Sequence, residues 1–140
     1  MTMPPLPQHY FAYASNLSKK QMRERCPESK PKSDAVLPNF QLIFVGWSRQ
    51  WHGGTASIKR SAGGKVKGAV YEVSERDIRR LDGFEGYPGT AARINVTVYT
   101  EDDEAIKAFT YMRTGQLEET EPSKEYATTI WEGYREWGIQ

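Results

Sequence analysis

In Tyr10-Phe11-Ala12-Tyr13-Ala14-Ser15-Asn16-Leu17 a run of β-favouring aromatic residues stops abruptly in small and polar ones. That pattern predicts a short strand over His9 to Tyr13 that enters the body of the fold and ends in a turn. Ser18-Lys19-Lys20-Gln21 then has the form of a capping box, so a helix is expected from Lys19 to Cys26, stopped by Pro27. A strand running through a tight turn into a helix start presents a row of backbone N–H groups. Such a row suits a carboxylate or a developing oxyanion.

The rest of the chain supplies the elements that must surround this turn. Glu28 to Asp34 is charged and broken by Pro31, and reads as a surface loop. Ala35 to Trp47 is too apolar for a solvated edge and is expected to be a strand bent at Pro38. Trp51-His52-Gly53-Gly54 reads as a turn, Thr55 to Ile58 as a short strand, and Ser61-Ala62-Gly63-Gly64 as a hairpin connection into a strand over Val66 to Val73. Ser74, with Asp77 three residues on, should cap a helix carrying Ile78 and Leu81 and closed by Gly83. Ile94, Val96 and Val98 alternate strictly, and with Ala105 to Arg113 they predict a β-hairpin across Glu101 to Glu104. After an acidic loop, Ser123 caps a last helix whose Tyr126, Ile130, Tyr134 and Trp137 share one face. This order indicates an α+β fold rather than repeated strand-helix-strand crossovers.

Composition narrows the partner. The 140 residues fit a single domain, taken as 8–140 behind a flexible Pro-rich arm over 1–7. Nineteen Lys and Arg stand against 18 Asp and Glu, a net charge of +1 that gives no long-range field for a nucleic acid or a membrane surface. A small-molecule partner is expected. The single cysteine, Cys26, excludes an internal disulfide and suits a reducing compartment, so the expected location is cytoplasmic, without export or anchoring. Balanced charge and the lack of a heptad pattern favour a monomer or a weak homodimer.

Few residues carry chemistry by pattern alone. Glu85 sits between Phe84 and Gly86, where a helix end turns back toward the body. A half-buried carboxylate there would have the raised pKa that general acid-base work needs, although position alone favours an ordinary solvated turn carboxylate, the commoner case. His9, His52 and Cys26 lack metal-ligand spacing, Ser15 lacks a nucleophile-elbow context, and neither Gly-Gly pair continues into a phosphate loop. Tyr126, in the first turn of the last helix, can project a phenol from the core edge into a cleft.

Four segments together resemble the gamma-glutamylcyclotransferase family. Tyr10 to Leu17 is similar to its Tyr-Phe-Ala-Tyr-Gly-Ser-Asn-Leu signature, Trp51 to Ala56 to its Trp-His-Gly-Gly segment, Leu81-Asp82-Gly83-Phe84-Glu85-Gly86 to its Leu-Asp-x-x-Glu-Gly, and Pro122 to Tyr126 to its Pro-Ser-x-x-Tyr. The resemblance implies a small mixed β-barrel flanked by helices, no cofactor and no metal, and conversion of a gamma-glutamyl amine or amino acid to 5-oxoproline with release of the free amine. It assigns substrate binding to Tyr10, Phe11, Ala12, Tyr13, Ala14, Ser15 and Tyr126, and catalysis to Glu85. Ala14 replaces the signature glycine, so a second reading is a non-catalytic gamma-glutamyl or carboxylate-binding module that lost turnover there. Ala91 and Ala92 stand where many members carry an aromatic residue, which implies a wider pocket beside them.

Overall fold

A computed structural model describes residues 8–115 and 117–139, so the arm expected over 1–7 lies outside the described residues. Five strands form a closed barrel in the order β1-β3-β2-β4-β5. They are β1 Gln8–Ala12, β2 Lys30–Ser48, β3 Gly53–Val73, β4 Ala91–Tyr99 and β5 Ala105–Arg113, with α1 Lys19–Arg25, α2 Glu75–Glu85 and α3 Lys124–Glu136 between and after them. A single turn of 3₁₀ helix, Ser15–Leu17, follows β1. Neighbouring strands are antiparallel except where β5 meets β1, in parallel, at Tyr10 and Phe109. The barrel is therefore mixed, and the resemblance named its type correctly. Among the described residues no helix is long and apolar enough to cross a membrane.

Alternation along β1 divides its side chains between two cores. Phe11 joins Leu37, Ile58, Val66, Val70 and Val98 in a cluster that α3 covers with Tyr126 and Ile130. Tyr10 and Ala12 face the other way, with Tyr71, Leu81 and Phe109, onto Met22 of α1 and Ile78 of α2. β1 is thus buried on both faces, which is why its sequence shows aromatic and apolar residues without a polar interval.

Three expectations about elements are corrected. The strand β2 begins at Lys30, inside the stretch read as a loop, because Lys30 pairs with Glu72 while its side chain stays exposed. Ser61 to Gly64 is no hairpin connection: β3 runs unbroken for 21 residues, and these four bulge opposite Asn39 between the pairs Pro38–Lys65 and Phe40–Arg60. Asn39 takes a φ of 65°, and its side chain accepts the Gly63 N–H at 3.1 Å. The bend expected near Pro38 is this bulge. Finally, α2 passes through Gly83 and ends at Glu85, where Gly86 adopts the left-handed conformation, φ 78°, and donates its N–H to the Asp82 carbonyl. That extension makes Glu85 the last residue of a helix instead of a residue in a free turn.

Candidate active site

The turn after β1 is fixed from beneath by α1. Ser18 caps that helix by accepting the Gln21 N–H, and the Gln21 side-chain amide reaches back to Ser15 Oγ at 2.8 Å and Asn16 Oδ1 at 2.9 Å. Arg25 adds a bond to Asn16 Oδ1 at 3.3 Å, and Asn16 Nδ2 donates to the Tyr10 hydroxyl at 3.1 Å. The capping box is therefore half formed, since the Gln21 side chain serves the turn instead of the cap. At the start of a helical turn the first N–H groups have no intrahelical acceptor, and here those belong to Ser15 and Asn16, both buried. Ala14 precedes them with a φ of −132°, outside the left-handed region, so no positive φ calls for glycine there.

Glu85 faces this turn across a small chamber of about 40 Å³ lined by Tyr10, Tyr13, Ala14, Ser15, Tyr126 and Glu85, among others. Its side chain is 27% exposed, and Arg113, at the end of β5, lies 3.9 Å away while also bonding the Glu85 backbone carbonyl. Burial raises the Glu85 carboxyl above its ordinary value, opposed by the positive charges of Arg113 and then Arg25. The tyrosines are neutral for the same reason. Burial, reinforced by the Glu85 charge, holds Tyr10 and Tyr13 well above the usual phenol range, and burial pushes Tyr126 up to about 12.

Each phenol is also oriented. Tyr13 donates to the Tyr111 carbonyl at 2.6 Å. The Tyr126 oxygen accepts the Ala56 N–H at 3.2 Å, which leaves its proton available to a second partner, and its ring stacks on Trp51 at 4.7 Å. Gly53 and Gly54 explain how Trp51 and Tyr126 meet. The Gly54 N–H donates to the Glu121 carbonyl at 2.8 Å, and a Cβ on Gly53 would run into the backbone of Pro122 and Ser123. Two of the quoted segments, Trp51-His52-Gly53-Gly54 and Pro122 to Tyr126, are thus one packed unit.

The structure brings Tyr10, Tyr13, Ala14, Ser15, Glu85 and Tyr126 to one chamber. The Phe11 and Ala12 side chains are fully buried in the two cores and do not line it. Ala91 and Ala92 border neither the chamber nor the cleft outside it, so no widening arises there. Sequence reasoning missed Arg113, Arg25 and Asn16. Arg113 carries no local signal, but Asn16 stands inside the opening stretch as its one side-chain amide, with a donor and an acceptor on separate atoms.

The chamber opens past Ser15, Thr55, Glu85 and Tyr126 into an outer cleft. Ser15, at the N–H row, and Glu85 both stand at this junction. A family model described as gamma-glutamyl cyclotransferase, AIG2-like, matches residues 10–133. The gamma-glutamylcyclotransferase of Bos taurus is 36% identical over 135 residues, covering 93% of this chain and 71% of the relative, and that of Homo sapiens is 34% identical over the same shares. A solved structure named gamma-glutamyl cyclotransferase superposes with a TM-score of 0.91 at 32% identity, over 96% of this chain and 82% of that one. A crystal structure of an uncharacterised protein from Homo sapiens gives 0.90 at 33% identity, over 95% and 81%. The chain belongs to the gamma-glutamyl cyclotransferase, AIG2-like family.

Proposed function

We propose that this chain runs the gamma-glutamylcyclotransferase reaction through Glu85, with the Ser15 and Asn16 N–H groups and the Tyr126 hydroxyl holding the reacting carbonyl. The substrate's α-amine attacks its own γ-carbonyl carbon, a C–N bond forms, and the oxygen takes up negative charge. The bond to the departing amine then breaks. Glu85 takes one proton from the ammonium, which frees the amine to attack, and delivers it to the leaving nitrogen as the C–N bond breaks; the ring nitrogen, cationic after attack, gives up a second proton, which ends on the released amine as ammonium, so atoms and charge balance without water or a cofactor. Ring closure within one molecule supplies proximity, worth several kcal/mol in a bimolecular reaction, and the protein must only hold the chain folded and move the proton. Donors aimed at the developing oxyanion in a largely buried site supply the remaining stabilisation.

The observation that carries this reading is Glu85, a carboxyl raised by burial, at the junction of chamber and cleft and tied to Arg113. Both nitrogens that exchange the proton would lie beside it. The reading of a binding module disabled by Ala14 loses its conformational ground, since that residue has a negative φ, and rests on the room its methyl takes in the chamber wall. Incubation with a panel of gamma-glutamyl amino acids, scored for 5-oxoproline, tests the proposal: stoichiometric release of 5-oxoproline and amine supports it, whereas binding without release for every compound would return the binding module. We further infer a cytoplasmic monomer or weak homodimer, a reading supported by balanced charge and by Cys26, the single thiol, which is buried and free.

A further inference from the structure

The outer cleft is much larger than the chamber, about 530 Å³, and its rim is unusual. The large apolar side chains exposed among the described residues are Trp47, Phe84, Tyr99, Leu117 and Trp131. Trp47, Phe84 and Leu117, which are 68%, 56% and 47% exposed, all border this one cleft, which Trp51 also lines. They come from three separate places: the end of β2, the turn of α2 that carries Glu85, and the segment after β5. Clustered exposed apolar surface marks a ligand groove more often than chance.

A cation stands among them. The Arg25 guanidinium lies over the Phe84 ring at 4.5 Å and donates to Asn16 Oδ1, and among the described residues no carboxylate lies within ion-pair distance of it. Arg113, the other cation of the cleft, is engaged with Glu85. Arg25 is thus positioned to receive an anion from outside, beside an apolar wall.

We propose that the amine released by this enzyme is an amino acid with a large apolar or aromatic side chain, its side chain against Trp47, Phe84 and Leu117 and its carboxylate on Arg25. The inference rests on the cyclotransferase reading and deepens it. With the γ-glutamyl head reaching toward the Ser15 turn and the scissile nitrogen at Glu85, the leaving half extends into the outer cleft. A small residue such as alanine would leave the three apolar side chains in water, while an aromatic one would cover them.

The test compares kcat/KM for gamma-glutamyl-phenylalanine, gamma-glutamyl-alanine and gamma-glutamyl-phenethylamine, each scored for 5-oxoproline. The phenylalanine compound should exceed the alanine compound by tenfold or more, and the phenethylamine compound, which lacks the carboxylate, should fall at least fivefold below the phenylalanine one. Trp47→Ala and Leu117→Ala should each lower the phenylalanine-to-alanine ratio at least threefold, and Arg25→Gln should bring the phenylalanine-to-phenethylamine ratio toward one. These are ratios within one preparation, so a variant that folds less well still gives an answer. Equal or inverted preference in the wild type, or ratios that the substitutions leave unchanged, overturn this inference alone. No 5-oxoproline from any compound overturns the cyclotransferase reading and this inference with it.

Discussion

Replacing Gly133 with alanine should destabilise the protein, against the usual rule for helices. In the middle of an exposed helix that change gains about 1 kcal/mol. Gly133 lies within α3 and faces the turn after β1, where an added Cβ would stand 2.5 Å from Leu17 Cβ, 3.3 Å from its carbonyl carbon and 3.4 Å from Ser18 N. Carbon atoms in contact prefer about 3.5–4.0 Å, so the two elements must part by roughly 1 Å. Leu17 cannot yield freely. It is fully buried, and its carbonyl accepts from Trp137 Nε1 at 2.8 Å and from the Tyr71 hydroxyl at 3.3 Å. Overpacking of this kind costs about 1–3 kcal/mol, which exceeds the helical gain over most of that range.

A net loss of about 1 kcal/mol is expected, lowering the melting temperature by roughly 2–4 °C. Because Leu17 completes the turn that carries Ser15 and Asn16, kcat/KM for 5-oxoproline release should fall as well. Urea unfolding and steady-state kinetics on Gly133→Ala check both effects. A variant stabilised by about 1 kcal/mol, as helix propensity alone dictates, would show that the contact between α3 and the turn is looser than described, and would refute the reasoning.

Three further outcomes follow from the titratable groups. Removing the Arg113 charge by Arg113→Met takes away the main force opposing burial at Glu85, so the acid limb of the kcat/KM profile should move to higher pH; a limb that stays or moves down contradicts the pairing. Since the folded pKa of Glu85 is raised, the stability tied to that group is complete below the ordinary carboxyl value, near about 4.3, and is lost as pH rises through the folded value. Glu85→Gln should therefore gain stability relative to wild type between acid and neutral pH in paired denaturation curves, and a difference that shrinks with rising pH is the contrary result. The Cys26 thiol, pushed up to about 12 by burial and then by the Asp77 charge, should resist iodoacetamide at pH 8 in the native protein and react at once in urea; equal rates would show that it is accessible.

Much of the fold was legible because its signals are local. Ser18, Ser74 and Ser123 each cap a helix by accepting the N–H three residues on, and the alternation of Ile94, Val96 and Val98 places the hairpin of β4 and β5. Gly63-Gly64 misled because the same residue pair serves a hairpin turn and a bulge, and only the pairing of β2 with β3 distinguishes them. Gly83 and Gly86 compete to end α2, and the choice falls where the chain takes a positive φ, which composition does not reveal. The site follows the same division. Tyr10 to Ser15, Glu85 and Tyr126 stand in segments whose order in the chain marks them, whereas Arg113 reaches Glu85 only because the barrel closes. The glycines at 53 and 54 look like turn residues in sequence, and in space they admit the segment from Thr120 to Ser123 that leads into the helix carrying Tyr126.

The most direct test of the central claim is the rate of 5-oxoproline release by Glu85→Gln, measured beside calorimetric binding of 5-oxoproline. Glutamine keeps the shape of the side chain and removes its ability to carry a proton between the two nitrogens. If Glu85 is the acid-base group, kcat should fall by about 10²–10⁴-fold while 5-oxoproline still binds. Turnover within a fewfold of wild type, with binding intact, would remove Glu85 from the chemistry and leave the chamber as a place that only holds the substrate.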